Sequence, residues 1–95
     1  MKKISVVILN WNGVGMLQKF LPKVLEYSQG EGVEVCVADN GSTDDSVAWL
    51  KANCPDVRVI VLDQNYGFAD GYNKALQQVE AEYVVLLNSD VEVTP

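Results

Sequence analysis

Chemistry in this 95-residue chain has to come from oxygen-bearing side chains, because the sequence contains no histidine. Without an imidazole, any general base must be a carboxylate, and the metals that fit are hard cations held by oxygen. Asn88-Ser89-Asp90 is the sharpest stretch of this kind. Side chains two residues apart on an extended backbone point the same way, so Asn88 and Asp90 can reach one cation shared with substrate phosphate oxygens. Three other polar clusters stand out: Asn10-Trp11-Asn12-Gly13, Asp39-Asn40-Gly41-Ser42-Thr43-Asp44 and Asp63-Gln64-Asn65-Tyr66-Gly67. Asn, Asp, Gly and Ser are ordinary turn and cap residues, but turn chemistry asks for nothing aromatic, and Trp11 could stack on a planar base. Asp39 fits two compatible roles: accepting from a ring N–H of uracil or thymine, or closing an Asx-turn onto Gly41-Ser42. Between Asn65 and Asn73, Gly67 and Gly71 stand four apart at a helix start, which permits close approach of backbone to a ligand. This segment is neither a Walker loop nor GxGxxG. Phe68 and Tyr72 read as core or lip residues, and Asp70 as an acid favoured by the helix dipole.

The elements that must position these groups follow from hydrophobic periodicity. Residues 4–9, 33–38, 57–62 and 83–87 are short, nearly continuous apolar runs, the pattern of strands buried on both faces. Between the first two, Leu17, Phe20, Leu21, Val24 and Leu25 follow helical spacing, with Pro22 predicting a kink near residue 19 or a helix in two pieces. A second helix is expected to be capped by Ser42 or Thr43, with Asp44 and Asp45 in its first turn, and to bury Val47, Leu50 and Trp49. The third places Tyr72, Ala75, Leu76 and Val79 on one stripe. The order βαβαβαβ predicts an α/β fold: a doubly wound, mainly parallel sheet of four strands with three helices. Ligands of such sheets bind beyond the carboxyl ends of the strands, and all four polar clusters fall on that edge.

Composition narrows the partners. The net charge is −6, from 7 basic and 13 acidic residues, which leaves no basic face for nucleic acid. Cys36 and Cys54 lack CxxC spacing and read as small buried hydrophobes. The apolar run after Met1-Lys2-Lys3 is too short for a signal-peptide core or a membrane span, so a cytoplasmic chain is expected.

Together, the stretch from Ile4 to Asn12 ending in Leu9-Asn10-Trp11-Asn12, the Ala38-to-Asp44 stretch, the Asn65-x-Gly67-Phe68-x-x-Gly71-x-Asn73 segment and Leu86-Leu87-Asn88-Ser89-Asp90 resemble family 2 glycosyltransferases. Four motifs match in order and spacing, over nearly the whole chain, and their forms look most like the rhamnosyltransferase-type branch. The resemblance implies a GT-A, Rossmann-like half that binds a UDP- or dTDP-sugar donor, with Mg²⁺ or Mn²⁺ bridging the diphosphate. Transfer would proceed with inversion, to a glycan or lipid-linked acceptor. By position, Trp11 matches an aromatic stacked on the base, Leu9 lines the base site, and Asp39 matches the acid that bonds the pyrimidine. Asp90 matches the metal-binding acid of the DxD motif. Asn88 replaces that motif's first Asp, so its amide can meet the ribose but brings no charge to the metal. Asn10, Asn65, Gly67, Gly71 and Asn73 complete the nucleotide-binding set that the resemblance suggests.

The family's catalytic carboxylate and acceptor-binding elements lie downstream of the metal motif. Residues 1–95 are therefore expected to form one truncated donor-binding domain that is inactive alone, at the inner face of the membrane in the full-length protein. Two other readings share the sheet. A phospho-receiver needs adjacent acids after the first strand and a late lysine, and a nucleotidyltransferase needs a Gly- and Lys/Arg-rich first loop; Asn10-Trp11-Asn12-Gly13 supplies neither. The resemblance also puts the fourth strand beside the first, with a bare apolar edge expected to drive self-association.

Overall fold

The computed structural model describes residues 2–27, 30 and 32–88. Along the chain these form β1 (Lys2–Asn10), α1 (Val14–Tyr27), β2 (Val33–Asp39), α2 (Ser46–Asn53), β3 (Arg58–Val61), α3 (Gly67–Leu76) and β4 (Ala81–Asn88). The strands make one fully parallel sheet in the order β3-β2-β1-β4. The chain steps outward from β1 to β3, then returns across the sheet to place β4 on the other side of β1. The strand order therefore reverses between β1 and β4.

Alternation along the strands divides the core in two. Val6, Ile8 and Val37 pack with Leu17, Leu21 and Val24 of α1 and Leu50 of α2. Val7, Leu9, Cys36, Ala38 and Ile60 pack on the opposite face with Tyr72 and Ala75 of α3. The doubly wound arrangement follows directly: α1 and α2 cover one face, α3 the other.

Three local expectations change. First, of the two outcomes expected at Pro22, the helix in two pieces does not occur: α1 runs unbroken with Pro22 inside it. Pro22 and Gln18 are both exposed, so the carbonyl that loses its amide partner lies on the solvent side, where water can take it. Second, α2 starts at Ser46, after Ser42, Thr43, Asp44 and Asp45 instead of among them. Its Asp45 cap makes no side-chain hydrogen bond. Side chains of other loops take up the amides expected to begin this helix, as described below. Third, β3 is confined to Arg58–Val61, although the flanking Val57 and Leu62 are buried as the apolar run implied.

β4 pairs with β1 along its length, with Val6 opposite Val85, Val7 opposite Leu86 and Leu9 opposite Asn88. Its outer edge has no partner strand among the described residues. Tyr83, Val84, Val85 and Leu86 are exposed on both faces, at 62%, 38%, 45% and 46%. Among the described residues, this edge is apolar and unpaired, as the sequence leads one to expect.

Candidate functional site

Because strand order reverses between β1 and β4, the crevice beyond their carboxyl ends is where a sheet of this kind receives a ligand. Leu9, Asn10 and Trp11 lie at the end of β1, and Asn88 ends β4 opposite Leu9. Leu9 is buried against the α3 face. Trp11 is 53% exposed in the first residue after β1, a large aromatic ring left open to solvent. Asp90, the expected metal ligand, lies outside the described residues. Among the described residues, no three acidic or cysteine side chains converge as a metal site.

Directly before Trp11 in the chain, Asn10 belongs to a buried polar cluster. Asn10 is 0% and Asp39 1% exposed, and they are register neighbours on β1 and β2. Asn10 Nδ2 donates to Asp39 Oδ1 at 3.1 Å, and the Ser42 amide donates to Asp39 Oδ2 at 3.0 Å. The turn closure onto Ser42 is thus present. A carboxylate offers about four acceptor positions, so two remain on Asp39 for a ligand N–H. Asn10 Oδ1 is buried and accepts from no group among the described residues. Such an unpaired acceptor costs about 1–3 kcal/mol.

Above this cluster, the loops after β1 and β2 hold each other. Asn12 has φ of 49°, the left-handed region that Asn tolerates better than most residues. Its Oδ1 accepts from the amides of Thr43 at 2.7 Å and Asp44 at 3.2 Å, and its own amide donates to Ser42 Oγ at 2.8 Å. In return, Asp44 Oδ2 accepts from the Val14 amide at 3.1 Å, at the start of α1. Asp44 Oδ1 accepts from the Ser46 amide at 3.0 Å, at the start of α2. Burial alone pushes the Asp44 carboxyl up, but the bonds from Ser46 and Val14 bring it below its usual value. One carboxylate therefore ties two helix starts together.

The loop after β3 is held in a similar way. Asn40 Nδ2 donates to Asn65 Oδ1 at 3.1 Å and to the Gly67 carbonyl at 3.0 Å, and Asn40 Oδ1 accepts from the Tyr66 amide at 3.0 Å. Asn65 Oδ1 also accepts from the Gly67 amide at 2.8 Å, at the start of α3. A Cβ on Gly71 would lie 2.9 Å from Asn40 Nδ2, and one on Gly41 would lie 2.5 Å from the Gln64 carbonyl carbon. The close approach inferred for Gly71 is thus made by Asn40, and Asn65 acts as a cap. Around Gly67 there is open space, and Asn73 is exposed on α3. This segment follows β3, two strands from β1, or about 10 Å across the sheet. Tyr72 is core, its hydroxyl donating to the Leu87 carbonyl.

The structure therefore brings together Leu9, Asn10, Trp11 and Asp39, and ends β4 beside them at Asn88. Asn65, Gly67, Gly71 and Asn73 form a separate group joined to them through Asn40. Asn12 and Asn40 had no expected role, and Ser42 and Asp44 only local turn and cap roles, though Asn12 directly before Gly13 at a helix start is a recognisable left-handed turn signal. Burial pushes the Cys36 thiol up to about 11 and also raises Cys54, which is half-buried and not the fully buried residue expected. A groove of 460 Å³ lined by Leu25, Val33, Cys54 and Pro55 opens near the starts of β2 and β3, away from the crevice.

The sequence pattern of the family described as Glycosyl transferase family 2 matches residues 5–95. The undecaprenyl-phosphate 4-deoxy-4-formamido-L-arabinose transferase of Yersinia pestis is 29% identical over 104 aligned residues, which cover 99% of this chain and 31% of that protein. The crystal structure of S. aureus TarS in complex with UDP superposes with a TM-score of 0.80 at 27% identity, covering 93% of this chain and 27% of that one. Glucosyl-3-phosphoglycerate synthase from Mycobacterium tuberculosis, in complex with Mn²⁺, UDP and glucosyl-3-phosphoglycerate, gives a TM-score of 0.76 at 25% identity, covering 94% and 34%. The chain spans about a quarter to a third of the length of the curated relatives it matches.

Proposed function

The chain belongs to glycosyl transferase family 2, with a GT-A fold, and we propose that it is the donor-binding part of an enzyme transferring a hexosyl or rhamnosyl group from a UDP- or dTDP-sugar. Family membership takes the place of the nucleotidyltransferase-like and phospho-receiver-like readings. The observation that carries the proposal is Trp11: an open indole at the end of β1, beside the strand-order reversal, next in the chain to a buried Asn10–Asp39 pair with acceptor capacity to spare. A pyrimidine stacked on this ring could present its one ring N–H to Asp39. Leu9 would line the base site and Asn88 would meet the ribose. UDP in two similar structures supports a uridine nucleotide as the first ligand to test.

Asp90 would hold Mg²⁺ or Mn²⁺ against the diphosphate, in line with the Mn²⁺ bound by one of these neighbours. When bound, such a cation neutralises charge that develops on the leaving phosphate oxygen. The chain's own residues bind and orient the nucleotide. Inverting transfer to a glycan or lipid-linked acceptor is the finer part of the proposal. The name of the undecaprenyl-phosphate transferase relative supports the lipid-linked choice.

Calorimetric titration of the chain with UDP and dTDP, with and without Mn²⁺, tests the assignment. Binding that Mn²⁺ tightens is expected. No binding, or binding indifferent to Trp11→Ala and Asp39→Ala, would sink it.

A further inference from the structure

We propose that Asn12 and Ser42 are positioning residues that fix the backbone carrying the Trp11 ring, so that the indole is offered in one place for stacking, an inference that rests on the nucleotide-binding role of Trp11. An exposed indole on a loop ordinarily samples several rotamers and backbone states, and a base that stacks on it must select one of them. Here the residues on either side of Trp11 converge on one atom. Ser42 Oγ accepts from the Asn12 amide at 2.8 Å and from Asn10 Nδ2 at 3.4 Å. A hydroxyl has two acceptor lone pairs, so both bonds can form at once. The Ser42 amide is in turn held by buried Asp39, so the hydroxyl is anchored to the sheet.

Asn12 completes the clasp in two ways that depend on its residue type. Its φ of 49° suits Asn, Asp or Gly, and its Oδ1 accepts from the Thr43 and Asp44 amides. Glycine keeps the backbone conformation but loses the acceptor, which separates clasping from strain. Ser42→Thr keeps the hydroxyl, whereas Ser42→Ala removes it. None of these groups has to touch the nucleotide.

The test is UDP titration of Asn12→Gly, Ser42→Ala, Ser42→Thr and Trp11→Ala. Tryptophan fluorescence anisotropy is read in parallel in a Trp49→Phe background, so that Trp11 alone reports. We expect Asn12→Gly and Ser42→Ala to weaken UDP binding about tenfold and to lower the anisotropy without ligand, with far-UV circular dichroism unchanged. Ser42→Thr should restore both readouts, which a general loss of stability would not. If Trp11→Ala loses affinity while Asn12→Gly and Ser42→Ala bind like the parent with unchanged anisotropy, the positioning role is overturned and the stacking role stands. If Trp11→Ala binds UDP like the parent, the stacking role falls and the inference falls with it.

Discussion

β1 and β4 lie side by side, in register, and are written in nearly the same apolar alphabet, yet they meet opposite surroundings. Val6, Val7, Ile8 and Leu9 are all buried, whereas their neighbours Val85 and Leu86 are close to half exposed. β1 has a strand on each side and helices over both faces. Among the described residues, β4 has one neighbouring strand, and its middle four residues are open to solvent. An apolar run thus encodes a strand and its pairing, but not what covers it. Coverage depends on which elements the chain carries to either side.

The largest effect should come from cutting into the buried member of this pair. Ile8→Ala removes a fully buried side chain between α1, α2 and the sheet, and should cost about 2–5 kcal/mol in urea unfolding. The matching cut in β4, Val85→Ala, should change stability by about 0.5 kcal/mol or less. Similar losses at the two sites would erase the contrast.

A second consequence concerns association. We propose that the open edge of β4 pairs with a second copy of the chain. Glu82 is the only acidic residue in Ala81–Asn88, and the strand contains no lysine, arginine or proline. A two-fold antiparallel pairing sets the two Glu82 side chains at opposite ends, so nothing on the edge repels a copy of itself. Light scattering should show a concentration-dependent dimer that Val85→Lys disperses without loss of helical signal. A monomer at all concentrations would contradict this.

The smallest predicted effect is a dependence on pH. Hydrogen bonds to Asp44 hold its folded pKa below the unfolded value. Its contribution to stability is therefore complete above about pH 4 and is lost as pH falls through the folded pKa. Asp44→Asn should flatten the acid side of the stability profile, measured by urea midpoints between pH 6 and 2. An unchanged acid limb would show that the link between the starts of α1 and α2 is not electrostatic.

The fold was largely legible because four two-sided apolar runs separated by three helical spacings leave few parallel arrangements open. The placement of Asn10 and Asp39 at the carboxyl ends of their strands, with Trp11 just after, was legible for the same reason. What the pattern did not reveal was how Asn and Asp side chains would be used. Asn65 and Gly71 read as ligand contacts because a polar residue and a glycine at a helix start serve a bound phosphate and a neighbouring loop equally well. Asn40 takes up both of them. The late start of α2 has the same origin, since Asn12 accepts from the Thr43 and Asp44 amides from 31 and 32 residues away, a partner that local capping rules cannot see. Pro22 was tolerated because its face of α1 meets water.

The most direct test of the donor-binding account is the UDP affinity of the chain in the presence of Mn²⁺, compared with that of Trp11→Ala. The account predicts saturable binding that weakens at least about tenfold, roughly 1.4 kcal/mol, when the indole is removed. Equal affinity in the two proteins, or none in either, would contradict it.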